Sequence, residues 1–169
     1  MWRSYYQQHF VALLRDLYVL SRDEYGFSPA DSITIAWYAS RAAHAFQPTR
    51  SREEAQKALP LLEKYFAALR GHSGETFDVN QAARIELDWW QLRREKSPPA
   101  EYGAVIAKTT TVVFQADNPD VHRAGLLRAE MMTYRDERRD GRMQAADWMF
   151  IEQNLARSYK ALLAGIARQ

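Results

Sequence analysis

WMFIEQNLARSYKALLAGI, residues 148–166, decides the fold class. Trp148, Ile151, Leu155, Tyr159, Leu162 and Ile166 recur every three or four residues, the period that lines one face of an α-helix and not the period of two that lines a strand. Outward from this segment the same period returns twice. Tyr6, Phe10, Leu13, Leu17 and Leu20 form a stripe near the N-terminus, and Ala55, Leu59, Leu62, Phe66 and Leu69 form another. Each describes an amphipathic helix that buries one face against neighbours.

Helix starts carry their own chemistry. Ser or Asn ahead of a first-turn proline satisfies an orphan backbone amide where proline's missing N–H costs nothing. Ser28-Pro29, Ser97-Pro98 and Asn118-Pro119 have this form, and Ser51 followed by Glu54 has the spacing of a reciprocal capping box. With these starts the pattern predicts seven helices, over roughly 3–24, 30–46, 52–70, 79–96, 99–116, 119–139 and 144–167. Pro60 is expected to bend or shorten the third. Thr109, Thr110, Thr111, Val112 and Val113 are consecutive β-branched residues that suit a strand. A lone strand would have nothing to pair with, so the helix is expected, its threonines returning hydroxyl bonds to the preceding turn.

The expected architecture is all-α, a single bundle of six or seven amphipathic helices in one domain over residues 1–169. At 169 residues the chain fits one domain. GHSGETF, residues 71–77, offers a subdomain break. Composition removes several function classes. Hydrophobic residues make up 47% of the chain, too many for a disordered one, and 23 Lys and Arg against 21 Asp and Glu leave a net charge of +2, a weak field for nucleic acid or anionic membrane. With 0 cysteines there is no thiolate chemistry, iron–sulfur cluster or disulfide scaffold, which fits a cytoplasmic setting. The N-terminal MWRSYYQQHFVALLRDLY lacks the apolar core of a signal peptide, and no later stretch approaches the ~20 apolar residues of a membrane span.

ARIELDWWQLRREK, residues 83–96, is the most distinctive candidate site. At helical spacing Ile85, Trp89 and Leu92 share the inward stripe, while Glu86, Trp90, Arg93 and Arg94 fall on an adjacent flank. Trp90 either covers a seam between helices or, with the two arginines, anchors a partner protein, since Trp and Arg are enriched at interface hot spots. Trp2 and Tyr5 are further aromatic candidates. His44 continues the stripe of Ile33 and Trp37, so His44 and Trp37 are the candidates for a ligand site in an apolar cavity between helices.

Asp136, Asp140, Gly141, Met143 and Asp147 occupy the first, fifth, sixth, eighth and twelfth positions of a segment that resembles a degenerate EF-hand loop. Arg138 stands at the third position, where calcium needs an oxygen, and Arg139 and Arg142 add repulsion. The competing reading is a turn in which Gly141 ends one helix in the left-handed conformation and Asp147 sits in the first turn of the next. His9, His44, His72 and His122 are scattered, and the inward Glu-x-x-His of bundle metal sites is absent. Nucleophile elbows, phosphate loops and dinucleotide fingerprints are absent as well. A carboxylate site could still assemble from Glu86, Asp88, Glu130 and Asp136. The arginines from Arg123 to Arg139 are interrupted by Glu130, Asp136 and Glu137, which favours a solvated face of ion pairs over a nucleic-acid surface.

These residues lead to a non-enzymatic helical protein that binds another protein, as adaptor, assembly factor or regulator, with self-association as a special case. No cofactor or metal is assigned. The alternative is a small-molecule or cofactor-binding bundle, catalytic or not, with an apolar cavity between its helices.

Overall fold

Ser28, Ser51 and Asn118 cap helices as their spacing predicts. The Ser28 hydroxyl accepts from the Asp31 amide at 3.2 Å, the Ser51 hydroxyl from that of Glu54 at 3.1 Å, and Asn118 Oδ1 from those of Asp120 and Val121 at 3.1 and 3.2 Å. The computed structural model describes residues 14–15, 18–19, 27–138 and 141–167. Among them the chain is all-α, with no strand. Its helices are α1 (Pro29–Phe46), α2 (Leu59–Ser73), α3 (Val79–Arg94), α4 (Pro99–Phe114), α5 (Pro119–Glu137) and α6 (Ala145–Ile166). Residues 14–15 and 18–19 are helical; the rest of the expected 3–24 helix, with Trp2 and Tyr5, lies outside the described residues.

Three local expectations are modified. The third helix is broken into a helical turn at Arg52–Ala55, a 3-10 turn at Gln56–Ala58 and then α2, with Pro60 in the first turn where it needs no amide bond. Glu54 reaches back to the Arg50 amide at 2.7 Å, one residue before its capping-box target. Ser97 caps nothing, because α4 starts after Pro98 with no side-chain cap. Its amide instead closes α3: Lys96 turns left-handed at φ 63°, the Lys96 N–H meets the Arg93 carbonyl at 3.0 Å and the Ser97 N–H that of Leu92 at 3.0 Å, the paired bonds of a helix ending usually built on glycine. Thr109–Val113 lie inside α4. Thr109 and Thr111 donate hydroxyl bonds to the Val105 and Ala107 carbonyls at 3.4 and 3.2 Å, which is how β-branched residues with hydroxyls settle in a helix.

The chain divides into two compact units, Met1–Leu87 and Asp88–Gln169, with the division inside α3. In the first unit α1 packs on α2. The buried side of α1 is made chiefly of small residues, Ser32, Ala36, Ser40 and Ala42, with Ile35 and Phe46, while α2 contributes Leu62 and Phe66. Phe77 meets Phe66 edge-on at 6.2 Å. His72, in the last turn of α2, sits 3.1 Å from Asp31 in the first turn of α1.

In the second unit α5 packs on both α4 and α6. The α4–α5 contact is nearly backbone on backbone. A Cβ added at Gly125 would lie 2.9 Å from the Ala107 nitrogen and 3.1 Å from its Cβ, and closer still to the Gly103 carbonyl oxygen. Tyr102 is buried beside this crossing, its hydroxyl 2.5 Å from the Ala129 carbonyl and 2.7 Å from the Thr133 hydroxyl. On the other side Ser158 donates to the Ala124 carbonyl at 2.8 Å, Asn118 to the Gly165 carbonyl at 2.8 Å, and Gly165 leaves room for Val121. Ile151 and Leu155 of the C-terminal stripe are buried, and Trp148, Tyr159, Leu162 and Ile166 are half-buried.

Candidate functional site

Two adjacent tryptophans on a helix point about 100° apart, and α3 uses the pair in two ways. Trp89 is buried, 6% exposed, and the guanidinium of Arg128 from α5 lies 5.3 Å from its ring centroid. Its indole N–H is buried without a hydrogen-bond acceptor. Trp90 is half-buried and meets Trp89 edge-on at 6.0 Å. Leu92, Arg93 and Arg94 are also half-buried. Glu86, likewise half-buried, lies one turn before Trp90 on the same helix.

Arg93 is the fixed point of this flank. Its Nε and Nη2 donate to both oxygens of Asp136 on α5, at 2.9 to 3.0 Å, the fork-on-fork geometry that makes guanidinium–carboxylate pairs directional. Arg135 adds a donor to the same carboxylate at 3.1 Å. Arg93 and Asp136 keep 17% and 33% of their side-chain surface in contact with solvent. The flank therefore carries a half-buried indole and, nearly one turn on, a guanidinium whose orientation Asp136 sets. Burial raises the Tyr102 phenol above its ordinary value, against the lowering effect of the Thr133 hydrogen bond and of Arg93.

By its place in the sequence Asp136 is the first residue of the EF-hand-like loop and one of four scattered carboxylates. Its pairing with Arg93, 43 residues earlier, has no local signal. Glu130 of the same four is exposed on α5. Arg128 and Arg135, expected on a solvated face, are half-buried, Arg128 against Trp89 and Arg135 against Asp136. Straight-chain stems of arginine pack well under a charged head, so a run of arginines need not mark the outside of a helix.

The turn between α5 and α6 takes its structural form. Gly141 is left-handed at φ 83°. Asp147 accepts from the Gln144 amide at 2.8 Å in a capping box and from the Tyr134 hydroxyl at 2.6 Å. These bonds, the tyrosine's first, hold its carboxyl below the ordinary value and push the Tyr134 phenol up, while Arg138 lowers both. Arg138 also stacks on the Tyr134 ring at 3.6 Å. The first and twelfth residues of the EF-hand-like pattern thus bind protein donors; Arg139 and Asp140 lie outside the described residues. No group of three His, Asp or Glu placed to hold a metal occurs among the described residues.

Helix α1 places His44, Trp37 and Ile33 on its more exposed side: His44 is exposed, Trp37 is 42% exposed and Ile33 57%. The α1 surface turned toward α2 is the small-residue side, because small side chains allow two helices to approach closely. The large apolar residues that dominate a hydrophobic stripe on paper were left outward.

Comparison with known proteins adds no family. The chain matches no family profile, no curated protein and no solved structure. No helix among the described residues is long and apolar enough to cross a membrane.

Proposed function

We propose that this chain is a non-enzymatic, cytoplasmic protein-binding protein, an adaptor, assembly factor or regulator, and that Trp90, Arg93 and Arg94, with Glu86 one turn earlier on α3, form its docking surface. The observation that carries the reading is the pairing of a half-buried Trp90 with an Arg93 locked onto Asp136. A rigid indole and a pre-set guanidinium lose little conformational entropy on binding, so more of the contact energy reaches the affinity. The absence of cysteine fits the setting.

Native mass spectrometry of the protein purified gently from the cells that make it tests the proposal. The expected result is a heavier species containing a second polypeptide, or a second copy of this chain, that is lost in Trp90→Ala while the variant stays folded at the assay temperature. A complex that survives Trp90→Ala, or a bare monomer, overturns it. A retained small molecule would instead favour a ligand-binding bundle.

A further inference from the structure

We infer that the outward face of α6 is a self-association surface, on which a second copy of this chain lays its own α6 antiparallel. The inference goes beyond the docking surface on α3 and uses none of its residues. Helix α6 buries Ile151, Leu155, Ser158 and Gly165 on its inner side. On the opposite side Met149, Glu152, Ala156, Lys160 and Leu163 fall within about 40° of one line along the helix, and all five are exposed. Met149 and Leu163, at 57% and 58%, are the most exposed large apolar side chains among the described residues of the second unit. Glu152 and Lys160 make no ion pair among the described residues. Arg157 lies off this line, about 100° round the helix from Ala156, with its Nη1 3.4 Å from Asn154 Oδ1.

The occupant is identified by the symmetry of the face about Ala156. Met149 and Leu163 stand seven residues before and after it, and Glu152 and Lys160 stand four before and after. A two-fold axis at Ala156 that sets the two helices antiparallel reverses the order in one copy, so each of these residues meets its counterpart at the same level. Met149 then stands level with the partner's Leu163, about 10.5 Å along the helix from the axis, and Glu152 with the partner's Lys160, about 6 Å along. Each pairing occurs twice. At the centre Ala156 carries only a methyl, which lets the two backbones come close enough for glutamate and lysine to reach across the seam. A parallel pairing is opposed by the same charges, since Glu152 would face the partner's Glu152 and Lys160 the partner's Lys160. The face therefore carries its own complement, apolar to apolar and acid to base.

One pair of helix faces falls below the roughly 1,200 Å² of a standard interface, so the dimer is weak, with a dissociation constant on the order of 100 µM. Sedimentation equilibrium of the full chain from about 10 µM to about 1 mM tests it, and a monomer–dimer equilibrium is expected. Glu152→Lys and Lys160→Glu, each alone, set like charges against each other at both ends and should weaken the dimer at least about tenfold. Mixed in equal amounts, the two variants pair opposite charges again, and the dimer should return as a heterodimer. Mixing would not repair a folding defect, so the rescue reads the pairing itself. The variant carrying both changes should dimerise like the parent, and Trp90→Ala should leave the equilibrium unchanged. A monomer at every concentration, a dimer indifferent to either charge reversal, or no return on mixing overturns the inference. So does a dimer lost in Trp90→Ala, which would assign self-association to the α3 surface instead.

Discussion

Gly125→Ala should destabilise the protein, although alanine is the better helix former by about 1 kcal/mol. The new methyl would meet the Gly103 carbonyl and stand 2.9 Å from the Ala107 nitrogen and 3.1 Å from its Cβ. Carbon contacts are comfortable at about 3.5–4.0 Å, and backbone atoms cannot rotate aside. Helices α4 and α5 must separate by a sizeable fraction of an ångström, which loosens the Tyr102 hydroxyl from the Ala129 carbonyl in the same seam. Overpacking of this kind costs about 1–3 kcal/mol, and a lost buried hydrogen bond about 1 kcal/mol more. Set against the propensity gain, the net loss is about 2 kcal/mol, or a fall of about 4–8 °C in melting temperature for a chain of this size. Gly71→Ala is the control, since a Cβ there meets nothing within 4 Å inside α2. It should stabilise by about 0.4–1 kcal/mol. Urea and thermal denaturation followed by circular dichroism read both. A Gly125→Ala protein that melts at or above the parent temperature would refute the close backbone contact.

Other consequences follow from single residues. Trp89→Ala truncates a buried side chain and should cost about 3–5 kcal/mol, whereas half-buried Trp90→Ala should cost less than half as much; equal losses would make Trp90 core and remove it as an anchor. Lys96→Gly should stabilise by about 1 kcal/mol, because glycine enters the left-handed region without the penalty a Cβ brings, and an unchanged urea midpoint would contradict the φ of 63°. Tyr102→Phe should lose about 1–2 kcal/mol, measured in the same denaturation series. The Asp147 carboxyl is held below its ordinary 3.8 chiefly by the Tyr134 hydroxyl and next by the Gln144 amide. A depressed folded-state value means the capping box stabilises above about pH 4 and fades as pH falls through that lower value. The gap between parent and Asp147→Asn should therefore be widest at neutral pH and close in acid, and a gap that grows in acid would reverse the assignment.

What the sequence determined by itself was the set of helices, because their signals are local. Apolar period, proline position and capping side chain act within a few residues, and they placed α1, α3, α4, α5 and α6 within two or three residues of their observed ends. The α5–α6 turn was legible for the same reason: Gly141 and Asp147 act on their own backbone. The end of α3 was not, since a lysine holds the left-handed position that a reader expects of glycine. Only tertiary structure decided which side of each helix faces inward and which charges meet. Helix α1 buried Ser32, Ala36, Ser40 and Ala42 and exposed Ile33 and Trp37, because closeness to α2 depends on small volume as much as on hydrophobicity. Arg93 found Asp136 across 43 residues, and Gly103 met Gly125 across the α4–α5 seam. Those choices depend on how two helices cross, and a crossing is a property of both surfaces together, which no single stretch of sequence contains.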